Sequence, residues 1–344
     1  MNYAGELTRQ DERLAAALSG FLPAEIYDIH AHPFAPDCYP PGTWDFLDAR
    51  GTLGCAEHRA ALRRYMKVAV LHGLYFGLPH PAADRPRLNS WVHAEVARHG
   101  TPRSRALLLV SPDDDPALVA AQLRGGQFCG LKVYSCYIRE GSMSAAPVEA
   151  FAPEWMWELL HETRGILMLH LMRDRGIDDP LNQASIRRLC RAYPRMRLVL
   201  PHVARSFNYR NARAGLHAIA DLGNAVVDTS AICELEVFRV ALQLLGPRRV
   251  LWGSDYATSE MRGRAVTVGA GFFWLHPDLE PAATPPGARA DMSLIGIESL
   301  LSLQEACTDA GLTAGDLRDI FLANALRLLE PHLPAEPGSA PAAP

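Results

Sequence analysis

Residues 26–33 read IYDIHAHP, a short β-branched, apolar run that ends in two histidines one residue apart. Seven further short apolar runs follow, at residues 67–71, 105–110, 130–134, 166–170, 197–202, 225–229 and 249–253. Longer segments with helical periodicity lie between them, and several runs are almost wholly apolar, which is typical of parallel strands buried on both faces. Eight strands alternating with helices in 344 residues predict an α/β fold, the closed (β/α)8 TIM barrel.

An open, doubly wound sheet is the alternative fold for the same alternation of strands and helices. Its nucleotide-binding members carry a GxGxxG turn after the first strand. No such turn follows residue 32 in this chain. The sequence therefore favours the closed barrel.

Two connections are too long to be ordinary βα loops. Residues 33–52 follow the first predicted strand and include Trp44 and Phe46, and residues 256–295 follow the eighth and include the FFW stretch at 272–274. Both would leave the barrel at the carboxyl ends of the strands, where active sites of this fold lie. We expect them to form lids or substrate walls.

The chain reads as one barrel domain over residues 1–333, with an N-terminal helical extension at residues 1–23. Residues 334–344, AEPGSAPAAP after Pro334, are rich in proline and alanine and are expected to be disordered. Nothing in the sequence repeats beyond the alternation of strands and helices.

Composition narrows the function classes. The formal net charge is −4, with 34 basic and 38 acidic residues, which does not suggest a nucleic-acid or membrane partner. The seven cysteines are scattered and odd in number, so we do not expect a disulfide framework. A cytoplasmic location is expected instead. The N-terminus lacks the apolar core of a signal peptide, and no apolar run is long enough to span a bilayer.

Five side chains that can bind metal stand at the ends of predicted strands. His30 and His32 end the first, and side chains two residues apart on a strand share a face. His170, His202 and Asp255 end the fifth, sixth and eighth strands. A single histidine after an apolar strand is usually a buried structural residue, but the carboxyl ends of all barrel strands meet at one face. The pattern therefore predicts a metal site at the mouth of the barrel.

The chain resembles the amidohydrolase superfamily, specifically the amidohydrolase-2 group that contains aminocarboxymuconate-semialdehyde decarboxylase and related hydrolases and hydratases. The matching pieces are DIHAHP, GLKVY, LMLH, LPHVARS, VVDTS, RVLWGSDY and FLANALRLL, in the group's order from residue 26 to about residue 329. The resemblance implies one catalytic divalent ion, commonly zinc, held by His30, His32, His170 and Asp255. It also implies that His202 stands beside the ion as a polarising or acid/base residue.

General chemistry agrees with this assignment. Imidazole and carboxylate ligands suit zinc, with manganese and iron as alternatives. A bound ion lowers the pKa of its water from 15.7 to about 7, which supplies a nucleophile at neutral pH. Asp255 is expected to take that water's proton and pass it to a leaving group, and His202 to donate to the oxygen that becomes negative.

The fourth predicted strand departs from the group's pattern. Many relatives carry a histidine where this chain has Tyr134, so Tyr134 is expected either to form a hydrogen bond with substrate or to have a packing role. Lys132 stands where two-metal members of the superfamily carry a carboxylated lysine. The less favoured reading is a second metal bridged by carboxylated Lys132. The favoured reading is an ammonium group that pairs with Asp255 or with a substrate anion.

Two arginines and one aspartate complete the candidate site. Arg173 and Arg205 follow His170 and His202 and are expected to bind an anionic group of the substrate, although Arg173 could equally be a solvated loop residue or a partner of Asp174. Asp228, at the end of the seventh strand, would orient a ligand histidine or cap the next helix.

The predicted function is that of a metal-dependent hydrolase, which activates a metal-bound water to attack an amide, ester or lactone carbonyl of a small polar or anionic substrate. The alternative is a metal-dependent lyase, a decarboxylase or hydratase acting on an unsaturated or aromatic carboxylic acid, because both reactions need the same ligands. A non-catalytic metal-binding protein is the minor alternative. The resemblance also implies a homo-oligomer, a dimer or a larger assembly.

Overall fold

All eight predicted runs form strands in the computed structural model, which describes residues 5–44, 47, 49–277 and 292–333. The third run is interrupted at Leu107 and contributes two short strands. The barrel strands are β1 Glu25–Ala31, β2 Val70–Tyr75, β3 Arg105–Ala106, β4 Leu108–Val110, β5 Gly130–Val133, β6 Ile166–Leu169, β7 Arg197–Leu200, β8 Ala225–Asp228 and β9 Val250–Leu251.

The strands close into a cylinder. Neighbouring strands pair in parallel: β1 with β2, β2 with β3, and β4 through β9 in chain order. The Cys129 amide donates to the Ala106 carbonyl (3.0 Å) and joins the two sets, and the Ile29 amide donates to the Trp252 carbonyl (3.1 Å) and joins the first strand to the last. The open doubly wound sheet is therefore excluded, and the (β/α)8 barrel is confirmed.

Helices cover the outside of the cylinder. Asp115 and Asp179 cap the helices that begin at Pro116 and Pro180, and each side chain accepts a bond from a first-turn amide. The helices between and after the strands are Cys55–Met66, Arg85–His99, Pro116–Arg124, Val148–Phe151, Glu154–Thr163, Pro180–Ala192, Tyr209–Gly215, Leu235–Leu245, Ile295–Asp309, Ala314–Arg318 and Asn324–Leu329.

A separate apolar cluster fills the inside of the barrel. Ile29, Met168 and Leu251 belong to it, and Leu322 and Leu329 pack against them from the final helical segment. That segment binds the start of β9, because the Asn324 side-chain amide donates to the Val250 carbonyl (2.7 Å). The amino-terminal end of the barrel is therefore closed by apolar side chains, which leaves the carboxyl-terminal end for the site.

Both predicted insertions stand at the carboxyl-terminal end. In the second, a hairpin pairs β10 Arg264–Val268 with β11 Gly271–Leu275 in antiparallel register. Phe46 of the first insertion, residues 278–291 of the second, and the tail predicted to be disordered at residues 334–344 lie outside the described residues.

The N-terminal extension contains the helix Arg9–Ala16, which begins with a capping box of Thr8 and Asp11. Asp11 also forms an ion pair with Arg262 (2.7 Å), so this helix is fixed to the insertion that follows β9. Among the described residues, no helix combines the length and apolar character needed to cross a bilayer.

Candidate metal centre

Three predicted ligands converge at the mouth of the barrel. The Nε2 atoms of His30 and His32 lie 3.2 Å apart, and each lies 3.4 Å from Oδ1 of Asp255. All three residues are buried, and their ligand atoms lie within 4.8 Å of one another. The convergence predicted from the sequence therefore holds for these three residues.

A β-bulge sets the course of β1 through this site. Asp28 pairs with Gly73 and Ala31 pairs with Tyr75, so three steps along β1 match two along β2. The bulge separates side chains that simple alternation would group together. His30 contacts Phe76 and His202 in the barrel, whereas Asp28 contacts His58 of a surrounding helix.

Two backbone hydrogen bonds hold the segment of Asp255 against β1. Its backbone is left-handed (φ 59°), a conformation that aspartate tolerates better than most residues. Its amide donates to the His30 carbonyl (2.9 Å), and the amide of His32 donates to the Tyr256 carbonyl (2.6 Å). These bonds fix the carboxylate directly opposite the two imidazoles.

Hydrogen bonds determine which ring nitrogen faces the centre. A carboxylate or a carbonyl can only accept, so His30 Nδ1 donates to Asp228 (2.9 Å) and His32 Nδ1 donates to the Gly77 carbonyl (3.4 Å). Burial, with the nearby charge of Lys132, lowers the pKa of His30 well below its ordinary value, so this imidazole is neutral. The Nε2 lone pairs therefore face the centre.

The carboxyl of Asp255 is ionised in this setting. Burial alone would raise its pKa, but the surrounding histidines, His32, His30 and His202, outweigh burial and hold the pKa of Asp255 below its usual range. Two imidazole lone pairs and a carboxylate oxygen thus face one another, an arrangement that requires a positive charge between them. Nitrogen and oxygen donors of this kind fit zinc, manganese or iron.

His170 lies beside this group without joining it. Its ring is 5.1 Å from that of His202, and both residues line the same cavity. Within the described chain its Nδ1 is buried and has no hydrogen-bond partner. His170 is outside the three-residue group of close ligand atoms, so its role as a fourth ligand stays a prediction.

His202 stands on a strained turn. His202, Val203, Ala204 and Arg205 all have positive φ, between 47° and 58°. The His202 amide donates to Asp228 (2.9 Å), and its Nδ1 donates to the Ser230 carbonyl (2.9 Å). Burial lowers the pKa of His202, which leaves a neutral ring with an unprotonated Nε2. Such strain is typical of functional sites.

Asp228 orients His30 and the turn at His202, and orienting a ligand histidine was one of its two predicted roles. It is fully buried, binds His30 through Oδ2, and accepts from the His202 amide and the Ser230 amide through Oδ1. The Ser230 hydroxyl also donates to it. Carboxylates in this position fix the orientation of metal-binding histidines.

Lys132 is a fully buried amine. Its Nζ lies 4.6 Å from the ring centre of Phe76 and 4.7 Å from that of Tyr134, and it has no hydrogen-bond partner among the described residues. Burial lowers its pKa to about 7, against the opposing charges of Asp228 and Asp255. The predicted direct ion pair with Asp255 is not formed, because the amine is held between aromatic rings instead.

The other predicted substrate contacts fall in different places. The Tyr134 hydroxyl is 3.5 Å from His32 Nε2, so this residue borders the centre. Arg173 forms an ion pair with the helix cap Asp179 (2.7 Å), and not with Asp174. Arg205 is half-buried, and in the described chain its Nε has no hydrogen-bond partner.

A cavity of about 470 Å³ opens above the centre. The centre contributes His32, His170, His202 and Asp255 to its lining, and the apolar walls are Trp44, Leu47, Leu78, Phe207, Met261 and Trp274. The hairpin supplies Trp274, while its Phe272 stacks on Phe207 (4.7 Å). Both insertions thus contribute to the wall of this cavity, and its contact with a substrate stays a prediction.

Sequence reasoning missed two residues of the site, Asp28 and Ser230. Asp28 accepts from the amides of His30 and Ser254 (2.9 Å each), and the Ser230 hydroxyl lies 3.1 Å from His30 Nδ1. Each stands two residues from a residue that was singled out. Spacing alone does not show that they bind back to the centre.

The family model described as "Amidohydrolase" matches residues 27–330. An amidohydrolase from Burkholderia multivorans with bound zinc is similar in structure, with TM-score 0.57, 15% identity, and coverage of 90% of this chain and 100% of that one. None of the curated proteins matches the chain at a significant level.

Two further solved structures share the fold. One is a dihydroxybenzoic acid decarboxylase from Polaromonas sp. JS666 with bound manganese and the inhibitor 2-nitroresorcinol (TM-score 0.55, 16% identity, 89% of this chain and 97% of that one). The other is a putative 2-pyrone-4,6-dicarboxylic acid hydrolase from Pseudomonas putida (TM-score 0.52, 15% identity, 91% and 100%).

Proposed function

Because this chain belongs to the amidohydrolase family, whose members are metal-dependent enzymes, we propose that it is a hydrolase that cleaves an amide, ester or lactone bond in a small polar or anionic substrate. The observation that carries the proposal is the convergence of His30 Nε2, His32 Nε2 and Asp255 Oδ1, with His202 beside them. These groups can hold an ion and move a proton at one place.

One divalent ion fits the centre, and we propose zinc first, with manganese and iron as alternatives. His30, His32 and Asp255 would hold it, with His170 as the fourth ligand because its buried Nδ1 has no partner in the described chain. When bound, the ion polarises a carbonyl oxygen and makes water more acidic. Lys132 stays an unmodified amine in this proposal, since its aromatic surroundings suit a single cation better than a bridge between two metals.

Asp255 and His202 handle the proton. The ionised Asp255 can accept one proton of the attacking water and pass it to the unprotonated Nε2 of His202. The Ser230 carbonyl holds His202 in the tautomer that this requires. Protonated His202 can then hydrogen-bond to the oxygen on which negative charge develops, and it gives the same proton to the leaving atom as the bond to that atom breaks.

Substrate binding combines apolar walls with a few positive groups. Trp44, Phe207 and Trp274 suit a flat or apolar body, while Lys132 and Arg205 carry positive charge without a charged partner in contact in the described chain. Tyr134 can donate its hydroxyl to the substrate near His32. Arg173, committed to Asp179, is a weaker candidate.

A lyase is the second candidate, and the apolar cavity favours it. An unsaturated or aromatic acid is flat, and Trp44, Phe207 and Trp274 offer flat apolar walls for it. The same centre would orient the acid, and in decarboxylation His202 would take a proton from solvent at its unprotonated Nε2 and deliver it to the carbon that loses carbon dioxide.

The experiment incubates zinc- or manganese-loaded protein in 18O-labelled water with panels of lactones, esters, amides and aromatic hydroxy acids. The expected result is cleavage that stops in chelator, resumes with metal, and places one solvent oxygen in the product carboxylate. Carbon dioxide release without solvent oxygen would contradict the hydrolase and establish the lyase. A metal-bound protein inactive on all panels would support the non-catalytic alternative.

We further propose that the protein is a homodimer acting on small molecules in the cytoplasm. The seven cysteines are free thiols, as a reducing compartment requires. Sedimentation equilibrium tests the dimer, and a mass of 37.7 kDa in solution would contradict it.

A further inference from the structure

The contacts of Asp28 extend across the closure of the barrel. This carboxylate is fully buried on β1, two residues before the first candidate ligand. Its Oδ1 accepts from the amides of His30 and Ser254 (2.9 Å each). Its Oδ2 accepts from the Ser254 hydroxyl and from His58 Nε2 (2.8 Å). Four donors from three elements therefore meet on one side chain.

The first of these bonds, from the His30 amide, acts on the bulge in β1. A strand whose side chains alternate strictly would place residue 28 and residue 30 on one face. Here the bond from the His30 amide to Asp28 closes a turn within the bulge, at the point where β1 gains its extra residue over β2. A shift of one residue in register moves every following side chain to the other face. The turn at Asp28 therefore decides where His30 and His32 point.

The bonds to Ser254 act on the other ligand strand. Ser254 precedes Asp255, whose left-handed backbone must be held by its neighbours. With both its amide and its hydroxyl on Asp28, and with its hydroxyl accepting from the Tyr256 amide (3.0 Å), Ser254 has little freedom to move. Asp28 thus fixes the histidine strand and the aspartate strand relative to each other.

His58 fixes Asp28 in turn. Its Nδ1 accepts from the Tyr75 hydroxyl (3.0 Å), so Nε2 carries the proton that it donates to Asp28. His58 is fully buried, and its ring packs 5.0 Å from that of Tyr256. The carboxylate therefore has a fixed position against the helix Cys55–Met66.

We propose that Asp28 is a positioning residue of the metal centre: it holds the bulge of β1 and the turn of Ser254 in the one arrangement that brings His30, His32 and Asp255 together. The role rests on the proposed metal-dependent function. Asp28 touches neither substrate nor ion and acts only through the residues that it aligns. Its loss should change the geometry of the centre before it changes the fold.

The test compares Asp28→Asn with Glu25→Gln in the full chain. Glu25 is a matched control, since it is a carboxylate on the same strand that binds a histidine, His72 (2.9 Å), at the end of β1 away from the centre. Metal-free proteins are titrated with Zn²⁺ and with Co²⁺, following heat and the visible absorption of cobalt. Circular dichroism and thermal unfolding without metal report on the fold.

We expect Asp28→Asn to bind either metal about 10- to 100-fold more weakly than wild type, with an altered cobalt spectrum, while Glu25→Gln stays within about twofold. Among turnover parameters, kcat should fall more than KM rises. Wild-type affinity and spectrum in a folded Asp28→Asn protein would overturn the role. If wild type itself bound no metal, the proposed function would fail first, and the role with it.

If Asp28→Asn does not fold, Ser254→Ala is used as a second variant to test the same role. It removes one donor to Asp28 and leaves the carboxylate in place. We expect a loss of metal affinity smaller than that of Asp28→Asn, with the same direction of change in the cobalt spectrum. A spectrum and affinity equal to those of wild type would count against the role.

Discussion

The two ends of the barrel are built from the same strands and follow opposite rules. Inside the barrel, Met168 and Leu251 belong to the same apolar cluster as Leu322 and Leu329 of the segment that closes the amino-terminal end. Directly after β6 the side chain is His170, with a buried nitrogen that has no partner in the described chain. The closed end buries apolar side chains, which stabilises the fold. The mouth buries polar side chains that water would solvate, which costs stability but leaves these groups free to react.

Backbone conformation differs in the same way. The mouth holds Asp255 and the four residues from His202 in the left-handed region, each at a cost of about 1–3 kcal/mol. No non-glycine residue of the described closing segment, 314–333, has positive φ. Lys67 and Arg164, which precede β2 and β6, are also left-handed, so strain is concentrated at the end that carries the site without being confined to it. At that end Asp228 and Asp28 hold the strained turns in place.

The largest expected effect is the loss of activity in Asp255→Asn. The amide cannot accept the proton and is a poorer ligand, so kcat/KM should fall by about 10³-fold or more. Asp319→Asn makes the same chemical change at the other end, where Asp319 pairs with Arg327 (3.1 Å), and should keep activity. Steady-state kinetics with the substrate found above decide between them. An equal loss of kcat/KM in both variants would contradict the expectation that only the mouth carries catalytic residues.

Leu322→Ala should have the converse effect. Leu322 is buried in the apolar cluster, and its truncation leaves a cavity that costs about 2–5 kcal/mol of unfolding free energy. Urea unfolding of the metal-free protein measures this, and kcat per folded molecule should not change. Leu118→Ala, at a side chain 64% exposed on a surface helix, is the control and should cost little. A large loss of kcat in Leu322→Ala would show that the two ends are coupled.

Lys132→Met should raise stability at neutral pH, because a buried charge without hydrogen bonds is replaced by an apolar chain of similar length. The pKa of Lys132 is about 7 in the folded protein and 10.5 in the unfolded chain. Between pH 7 and pH 10.5 the unfolded chain therefore keeps a proton on Lys132 that the folded protein has released. Wild-type stability therefore rises with pH from about 7 to 10.5, and Lys132→Met lacks this rise. The gain should be about 1–4 kcal/mol near pH 6 and shrink above pH 8.

Urea unfolding of both metal-free proteins from pH 6 to pH 9 measures this difference. Lys67→Met is the control, since Lys67 is the only other lysine and is exposed. A difference between wild type and Lys132→Met that does not change with pH would contradict the assigned pKa. Activity should fall in Lys132→Met and not in Lys67→Met. This result would show that Lys132 lowers the stability of the protein but contributes to its function.

Sequence alone was sufficient to predict the strands and the convergence of three candidate ligands, because buried parallel strands are apolar and end where polar residues begin. His30, His32 and Asp255 could be grouped since strand ends meet in a barrel. The bulge at Asp28 could not be predicted, because it appears only in the pairing of β1 with β2, and because Asp28 also binds Ser254, 226 positions away. The same holds for the aromatic enclosure of Lys132: of the two partners expected for its amine, Asp255 is not in contact with it, and a substrate anion stays a prediction.

The smallest expected effect concerns the hairpin, which belongs to the mouth but not to the barrel. Trp274 lines the cavity and lies 5.6 Å from the ring of Phe207, so Trp274→Ala removes apolar contact with the substrate and leaves the ligands in place. We expect KM to rise about tenfold with little change in kcat, since one aromatic contact contributes about 0.5–1.5 kcal/mol beyond its buried area. Phe273→Ala, on the same strand with its side chain 47% exposed, should change neither constant. A fall in kcat at unchanged KM would instead make the hairpin part of the catalytic end, because it would show that Trp274 stabilises the transition state more than the bound substrate.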